Sequence, residues 1–233
     1  AIDRGFVEQG TTIIDGASGH NINLELLVAY QPTLVIASTD NVNHINAMKT
    51  LEMAHIPVIY IQPDSFEDYL KALKILTDIT ERNDLYNKNG ISQQEEINLI
   101  KEQAKKNTDT PTVLFIRAGS GFSSTKAKRK EDHFGALILD ELGSINIADE
   151  ADSLTEALSL EEILVRNPNY ILIVSMGNDE ASKAYITDLF SKPGWKSLDA
   201  VKNNKVVFLT KELFNFKPND KWAETYKGMY SII

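Results

Sequence analysis

Short runs of β-branched and aliphatic residues alternate along this chain with longer stretches in which apolar residues recur every three or four positions. Leu34-Val35-Ile36-Ala37 and Pro57-Val58-Ile59-Tyr60-Ile61 read as buried strands, with a helix from about Val42 to His55 between them and another from about Ser65. A second set follows. Thr112 to Ile116, Tyr170 to Val174 and Val206 to Leu209 read as strands, with helices from about His133 to Leu142, Ser159 to Val165 and Asp179 to Phe190 between them. This alternation is the pattern of an α/β protein with mostly parallel sheets.

The stretch from Asp84 to Asn107 separates the two sets. Ser92-Gln93-Gln94-Glu95 is a capping-box pattern, and Ile97, Ile100 and Ala104 follow at helical spacing. One helix is therefore expected to join two lobes, with Asn89-Gly90 breaking it or delaying its start. The boundaries implied are an N-terminal lobe over 1–83, a connecting helix over 84–109 and a C-terminal lobe over 110–233. Periodicity alone also allows, as the lesser alternative, an amphipathic surface helix within a single domain.

Composition narrows the chemistry. With 233 residues and 42% hydrophobic content the chain can bury a sizeable core. No apolar run approaches the roughly 20 residues of a membrane span, and AIDRGFVEQG lacks the basic start and apolar centre of a signal peptide. A net charge of -9 argues against nucleic-acid binding, which needs Lys and Arg against phosphates. The local exception is Lys126, Lys128, Arg129 and Lys130. The chain has no cysteine, which removes disulfides, thiolate metal sites and cysteine nucleophiles.

The loop in VLFIRAGSGFSSTK, residues 113–126, invites comparison with phosphate-binding motifs. Ser124 and Thr125 stand where a P-loop starting at Gly119 needs Gly and Lys, Ser124 replaces the third glycine of a dinucleotide fingerprint, and the G-x-S-x-G spacing of a serine hydrolase is absent. What remains is a strand end whose amides and hydroxyls can meet a polar ligand, as ligands do beyond the carboxyl ends of strands in open α/β sheets. The histidines at 20, 44, 55 and 133 form no H-x-x-x-H pair, so a zinc site has little support. His55 reads as a helix-end residue, and His44 and His133 as structural rather than metal-ligating.

Several stretches in fixed order carry a family resemblance. Asn23-Leu24-Glu25-Leu26-Leu27 followed by Gln31-Pro32-Thr33-Leu34-Val35-Ile36 resembles the N-L-E-x-[LI]…P-D-L-V-I segment of helical-backbone (class III) substrate-binding proteins of ABC importers. His55-Ile56-Pro57-Val58 is similar to G-I-P-V, and Leu142-Gly143-Ser144-Ile145-Asn146-Ile147-Ala148 to L-G-G-x-N-x-A. Leu158 to Leu164 with Asn167-Pro168-Asn169-Tyr170-Ile171 resembles x-S-x-E-x-[LI]…N-P-D-x-I, and Trp195 to Val206 resembles W-x-x-L-x-A-V-K-N-G-R-V. Thr33 and Asn169 depart from the usual Asp after Pro. Only 24 residues precede Glu25, where the family usually has a strand, a helix and a ligand-facing loop, so that unit is expected to be missing or remodelled.

The resemblance implies two α/β lobes joined by a long helix, with a ligand cleft between them. It implies an exported protein, periplasmic or a cell-surface lipoprotein, expected to be a monomer and not an enzyme. It further implies a protein with no intrinsic cofactor that delivers its ligand to a membrane permease. The ligand group is iron-siderophores, haem and cobalamin, with a ferric siderophore foremost; a divalent-metal binder and, more remotely, an α/β enzyme using the same cleft are the alternatives. Ligand-facing positions would be Ser38, Thr39 and Asn41 with Gln62 and Asp64, then Arg117, Ser120, Phe122, Met176 and Asn178, and finally Phe214, Phe216 and Lys217. Arg117 stands first, because a strand-end guanidinium can clasp paired oxygens. Lys126 to Lys130 either attracts an anionic ligand or is a solvated charge run. Relatives often carry His where Asn215 stands, so a haem ligand at that position would be lost. Glu25 and Glu161 match the acidic residues, one on each lobe, that dock into permease arginines.

Overall fold

The computed structural model describes residues 22–233. The segment ahead of Ile22, to which His20 and the expectation of a missing or remodelled first unit belong, lies outside the described residues. Two compact units divide between Gln62 and Pro63.

In the first unit, helix α1 (Leu24–Ala29) starts at Asn23, whose side chain accepts a hydrogen bond from the Leu26 amide at 3.0 Å. Strand β1 (Val35–Ser38), helix α2 (Val42–Met53) and strand β2 (Val58–Ile61) follow. The strands pair in parallel, Val35 opposite Val58 and Ser38 opposite Ile61. Both helices end through residues with left-handed backbone, Gln31 (φ 46°) and His55 (φ 56°), just ahead of Pro32 and Pro57, which cannot continue a helix. His55 is thus the helix-end residue its place before Ile56-Pro57 suggests. Leu27, Ala47, Leu51 and Ile56 form a small core.

The second unit begins with α3 (Phe66–Ile79), capped by Ser65, whose Oγ accepts from the Asp68 amide at 3.1 Å. Next come α4 (Asn83–Tyr86), a π-helical turn (Asn87–Ile91) and α5 (Ser92–Ala104). These three pieces form one uninterrupted helix. Asn89-Gly90 neither breaks it nor delays its start; the extra residue is absorbed as the π turn. The Tyr69 hydroxyl donates to the Asn89 carbonyl at 3.1 Å and the Ser92 hydroxyl to the Asn87 carbonyl at 3.1 Å, supplying partners inside the widened turn. Gly90 is buried, and a Cβ there would lie 3.0 Å from Leu70 and 3.2 Å from Leu73, so a glycine lets this turn approach α3 closely.

The remaining elements are β3 (Thr112–Ala118), β4 (Lys126–Ala127), α6 (Phe134–Glu141), β5 (Ile145–Asn146), α7 (Asp152–Glu156), α8 (Leu160–Arg166), β6 (Tyr170–Ser175), α9 (Asp179–Ser191), α10 (Pro193–Lys196), α11 (Asp199–Lys202), β7 (Val206–Leu209), α12 (Lys211–Phe214) and α13 (Trp222–Tyr230). The sheet runs β4-β3-β6-β7, with β5 beside the amino end of β3. Only the β3–β4 pairing is antiparallel. Because β-strand side chains alternate between faces, Val113 and Phe115 enter one core cluster and Leu114, Ile116 and Ala118 the other.

The first of these clusters explains where α3 belongs. The Trp222 ring lies 5.9 Å from Phe66 and 5.5 Å edge-on from Phe134, and Tyr69 and Ile97 are buried with them. The compact-unit boundary therefore falls ahead of α3, whereas the sequence pattern places the lobe boundary at residue 83. Among the described residues no helix is long and apolar enough to cross a membrane.

Candidate functional site: the strand ends

Arg117 is the penultimate residue of β3 and continues the Val113–Phe115 face past the point where the core ends. It is half-buried, and its Nε donates to Asn215 Oδ1 at 3.1 Å. Among the described residues no carboxylate pairs with it, and the terminal guanidinium nitrogens have no protein partner.

Beyond Arg117 the glycine-serine loop folds on itself. The Gly119 amide donates to the Ser124 carbonyl at 3.1 Å, the Ser124 hydroxyl to the Gly121 carbonyl at 3.1 Å, and the Thr125 hydroxyl to the same carbonyl at 2.8 Å. The hydroxyls of Ser124 and Thr125 are thus used within the loop, while Ser120 stays exposed and Phe122 projects from the tip, 61% exposed. Gly119 is a steric requirement: a Cβ would meet Ser124 Oγ at 2.2 Å.

The basic run after the loop sorts into two pairs. Arg129 bonds Asp132 at 3.2 Å and Asp152 at 2.9 Å, and Lys130 bonds Asp140 at 2.9 Å. Arg129 and Lys130 thus serve three structural ion pairs. Lys126 and Lys128 have no carboxylate partner among the described residues.

His133 stands beside this group. Its Nδ1 accepts from the Gly135 amide at 3.0 Å, capping α6, and its ring lies 5.0 Å from Phe115 and 4.8 Å from Phe134. Burial, then the charges of Arg117, Lys128 and Lys217, push its pKa down to about 3. The imidazole is therefore neutral with its proton on Nε2, an arrangement that leaves no nitrogen lone pair for a metal. In the first unit His44 is occupied in the same way, with Nδ1 accepting from the Ser38 amide at 3.0 Å. Both are structural in this arrangement. Among the described residues no group of His, Asp and Glu gathers that could hold a metal ion.

The other positions separate into those with ligand-accessible surface and those without. Met176 follows β6, half-buried, and the loop Met176 to Asn178 turns through left-handed Gly177 (φ 82°) before Asn178 caps α9. Lys211 bonds both the Gly177 carbonyl and Asp179, pinning that loop. Lys217 pairs with Asp64 and lies over the Phe134 ring, so its charge is already compensated. Phe216 is 42% exposed. Phe214 is 4% exposed and packs in the cluster with Trp222 and Tyr226; the expectation of a ligand-facing ring there is corrected to a core role, because α12 turns that side chain towards α13.

In the first unit Ser38, Thr39, Asn41 and Gln62 gather at the carboxyl ends of β1 and β2. Thr39 Oγ1 bonds Gln62 Oε1, Ser38 Oγ accepts from the Asp40 amide at 3.1 Å, and Asn41 caps α2 by accepting from the Asn43 amide at 3.0 Å. Glu25 and Glu161 are exposed in the first turns of α1 and α8. Neither has an ion-pair partner among the described residues, and the helix dipole favours a carboxylate in both places.

Sequence reasoning missed three contributors: Asn215 as the partner of Arg117, Lys211 as the clamp on the Met176 to Asn178 loop, and the division of the basic run. The last follows only once β4 is known to be a strand, whose period of two puts Lys126 and Lys128 on one side of Ala127.

Each unit is thus α/β with parallel strands, and polar side chains stand at the carboxyl ends of those strands in each unit taken by itself. The sequence profile of periplasmic binding proteins matches residues 3–213, and the chain belongs to that family. A search of curated proteins gives no match. Among solved structures, it is similar to an ABC transporter substrate-binding protein from Listeria monocytogenes EGD-e, with TM-score 0.72 and 22% identity over 91% of this chain and 80% of that one. It is also similar to a possible iron-binding (periplasmic solute-binding) protein from Staphylococcus epidermidis, with TM-score 0.71 and 20% identity over 91% and 80% of the two chains. A third is S. aureus IsdE complexed with heme, with TM-score 0.71 and 20% identity over 97% and 88%.

Proposed function

We propose that this chain is the extracytoplasmic substrate-binding component of an ABC importer. It captures an iron complex, a ferric siderophore foremost, and delivers it to a membrane permease. The observation that carries this reading is Arg117, held at the end of β3 by Asn215 with its terminal nitrogens unengaged. A guanidinium so placed offers paired donors to the carboxylate or catecholate oxygens that bind ferric iron. Family membership and the iron- and heme-linked neighbours support the ligand class.

Haem is the second reading, favoured by the likeness to IsdE. Against it stand an amide rather than an imidazole at Asn215 and the protonated Nε2 of His133, so neither of these two positions offers an axial nitrogen. Glu25 and Glu161 serve in this proposal as the permease-docking acids, steering the encounter more than adding affinity.

The visible absorption spectrum of the purified protein, followed by fluorescence titration with ferric siderophores, haem and cobalamin, tests the reading. Saturable binding of a ferric siderophore without turnover is expected. Failure of every one of these ligands to bind below about micromolar, where capture from dilute solution becomes ineffective, overturns it.

A further inference from the structure

Backbone amides alternate between the two edges of a strand in a parallel pair. The Val35 and Thr39 amides donate to the Pro57 and Ile61 carbonyls across the β1–β2 pair, at 2.9 and 3.4 Å, so the Ser38 amide points to the other edge of β1. No strand pairs with that edge among the described residues. The His44 ring supplies the acceptor instead, its Nδ1 lying 3.0 Å from the Ser38 nitrogen. Ser38 ends β1 and His44 stands in the first turn of α2, so this one bond closes the loop Ser38 to Asn41 onto the helix that follows it.

A backbone amide can only donate, so this contact requires a neutral ring with its proton on Nε2. A second proton would go to Nδ1, set two donors against each other and leave the Ser38 amide without its acceptor. The other bonds of the loop do not depend on a titrating group. The Asp40 amide donates to Ser38 Oγ, the Asn43 amide to Asn41 Oδ1, and Thr39 bonds Gln62.

A cavity of about 210 Å³ opens beside the His44 ring, lined by Ile22, Leu27, Ala37, Ala47 and Leu51 among others, and no lining residue except His44 titrates. Helix α1 reaches it through Leu27, and its one charged residue, Glu25, is not part of the wall. From β2, the Tyr60 hydroxyl donates to the His44 carbonyl at 3.1 Å. In the loop the charged residue is Asp40, exposed and without an ion pair among the described residues. The charged residues of α2, Lys49 and Glu52, lie more than one turn further on. His133 accepts from an amide with the same atom, but burial and three neighbouring cations keep that ring neutral. The wall beside His44 holds no cation, and the ring is only half-buried.

We propose that His44 is an acid-sensitive latch on this strand-end loop. A neutral ring holds the loop from Ser38 to Asn41 closed, and a protonated ring releases it. Because the closed loop excludes the second proton and the open loop accepts it, acid shifts the balance towards the open form. Ser38, Thr39 and Asn41 are among the positions proposed to face a ligand, so the latch sets how much of the ordering cost is met before a ligand arrives. It applies whichever ligand the protein takes, and so stands or falls separately from the iron-chelate reading.

The test follows the backbone amides and the His44 ring protons of the whole chain by NMR from roughly pH 8 to 5, the interval in which histidine rings commonly gain a proton. The Ser38 amide should move towards the shift of a free amide with the same midpoint as the His44 ring. Its protection against exchange should fall several-fold to about tenfold, the order of one hydrogen bond. The Leu51 amide, in the core of the same unit, should keep its protection. His44→Asn retains an acceptor oxygen close to the place of Nδ1 but cannot titrate, so its Ser38 amide should stay protected across the whole range. His44→Ala should leave that amide unprotected at every pH. A ring that stays neutral throughout, a Ser38 amide that keeps its protection while the ring titrates, or a Ser38 transition that survives in His44→Asn overturns the latch. So does loss of Leu51 protection at the same midpoint, which marks general unfolding of the unit instead.

Discussion

Arg117 and Asn215 lie 98 residues apart in sequence, yet the Arg117 Nε donates to the Asn215 side-chain oxygen at 3.1 Å. The contact joins the end of β3 to the segment just after α12. It uses one edge of the guanidinium and orients the other, so the two residues act as a holder and a held group.

Removing the held group should therefore cost more than removing the holder. Arg117→Ala is expected to weaken binding of an anionic ferric chelate roughly ten- to a hundredfold, the range for losing hydrogen bonds to a charged group. Asn215→Ala should weaken it less, because the arginine remains but its orientation is no longer fixed. Arg117→Lys should recover only part of the loss, since an ammonium cannot offer two parallel donors. Isothermal titration of the three variants against one chelate gives the order.

Glu25 and Glu161 carry no structural ion pair among the described residues, so their removal should leave the fold and the ligand site intact. Glu25→Ala with Glu161→Ala is expected to abolish uptake in cells while the chelate affinity of the purified protein stays unchanged. Each Ala costs only a few tenths of a kcal/mol or so through the helix dipole. A fall in ligand affinity would remove these residues from the docking role.

The loop after β3 distinguishes its two glycines. At Gly119 a methyl group meets Ser124 Oγ at 2.2 Å, Ser124 Cβ at 2.5 Å and the Ser124 carbonyl oxygen at 2.9 Å, whereas at Gly121 nothing lies within 4 Å. Gly119→Ala should destabilise the second unit by about 1–3 kcal/mol, the usual cost of overpacking, and Gly121→Ala should be close to neutral. Urea unfolding of the two variants measures the difference.

Much of this fold was legible because its signals are local. Val206–Leu209 matches its predicted strand, and Ser65 and Asn178 cap helices where the sequence pattern starts them. The two-residue strands β4 and β5 carry no periodicity to read. Helix α13 does carry it, with Trp222, Tyr226 and Met229 at helical spacing, but it is only nine residues long and lies beyond the last stretch with a family resemblance. Asn89-Gly90 misled for a different reason. Propensity penalises that pair in a helix, and tertiary contacts from Tyr69, Leu70 and Leu73 outweigh the penalty. At the site, Arg117 could be found from its strand-end position, but its partner Asn215 could not, because nothing local links residues so far apart.

The π turn yields its own prediction. The Tyr69 hydroxyl is the side-chain donor to the Asn89 carbonyl, and burial together with nearby Asp220 raises its pKa to about 12, so it remains a donor throughout the neutral range. Tyr69→Phe should cost about 0.5–1.5 kcal/mol, the net value of one hydrogen bond, and speed amide exchange around Asn87–Ile91 more than elsewhere.

The last prediction concerns acid. The pKa of His133 is pushed from 6.5 down to about 3 in the folded chain, by burial first and then by Arg117, Lys128 and Lys217. Above pH 6.5 the imidazole is neutral in both folded and unfolded chains, and its titration contributes nothing to the pH dependence. Between about 3 and 6.5 the unfolded chain takes up a proton that the folded chain refuses, so stability falls as pH falls through this window and levels off below it. His133→Asn keeps a side chain able to cap α6 but cannot titrate. Its stability should therefore decline less steeply from pH 6.5 towards 3 than that of the parent, as urea midpoints across the window will report. Parallel slopes in the two proteins would show that the imidazole is not the group that acid must protonate.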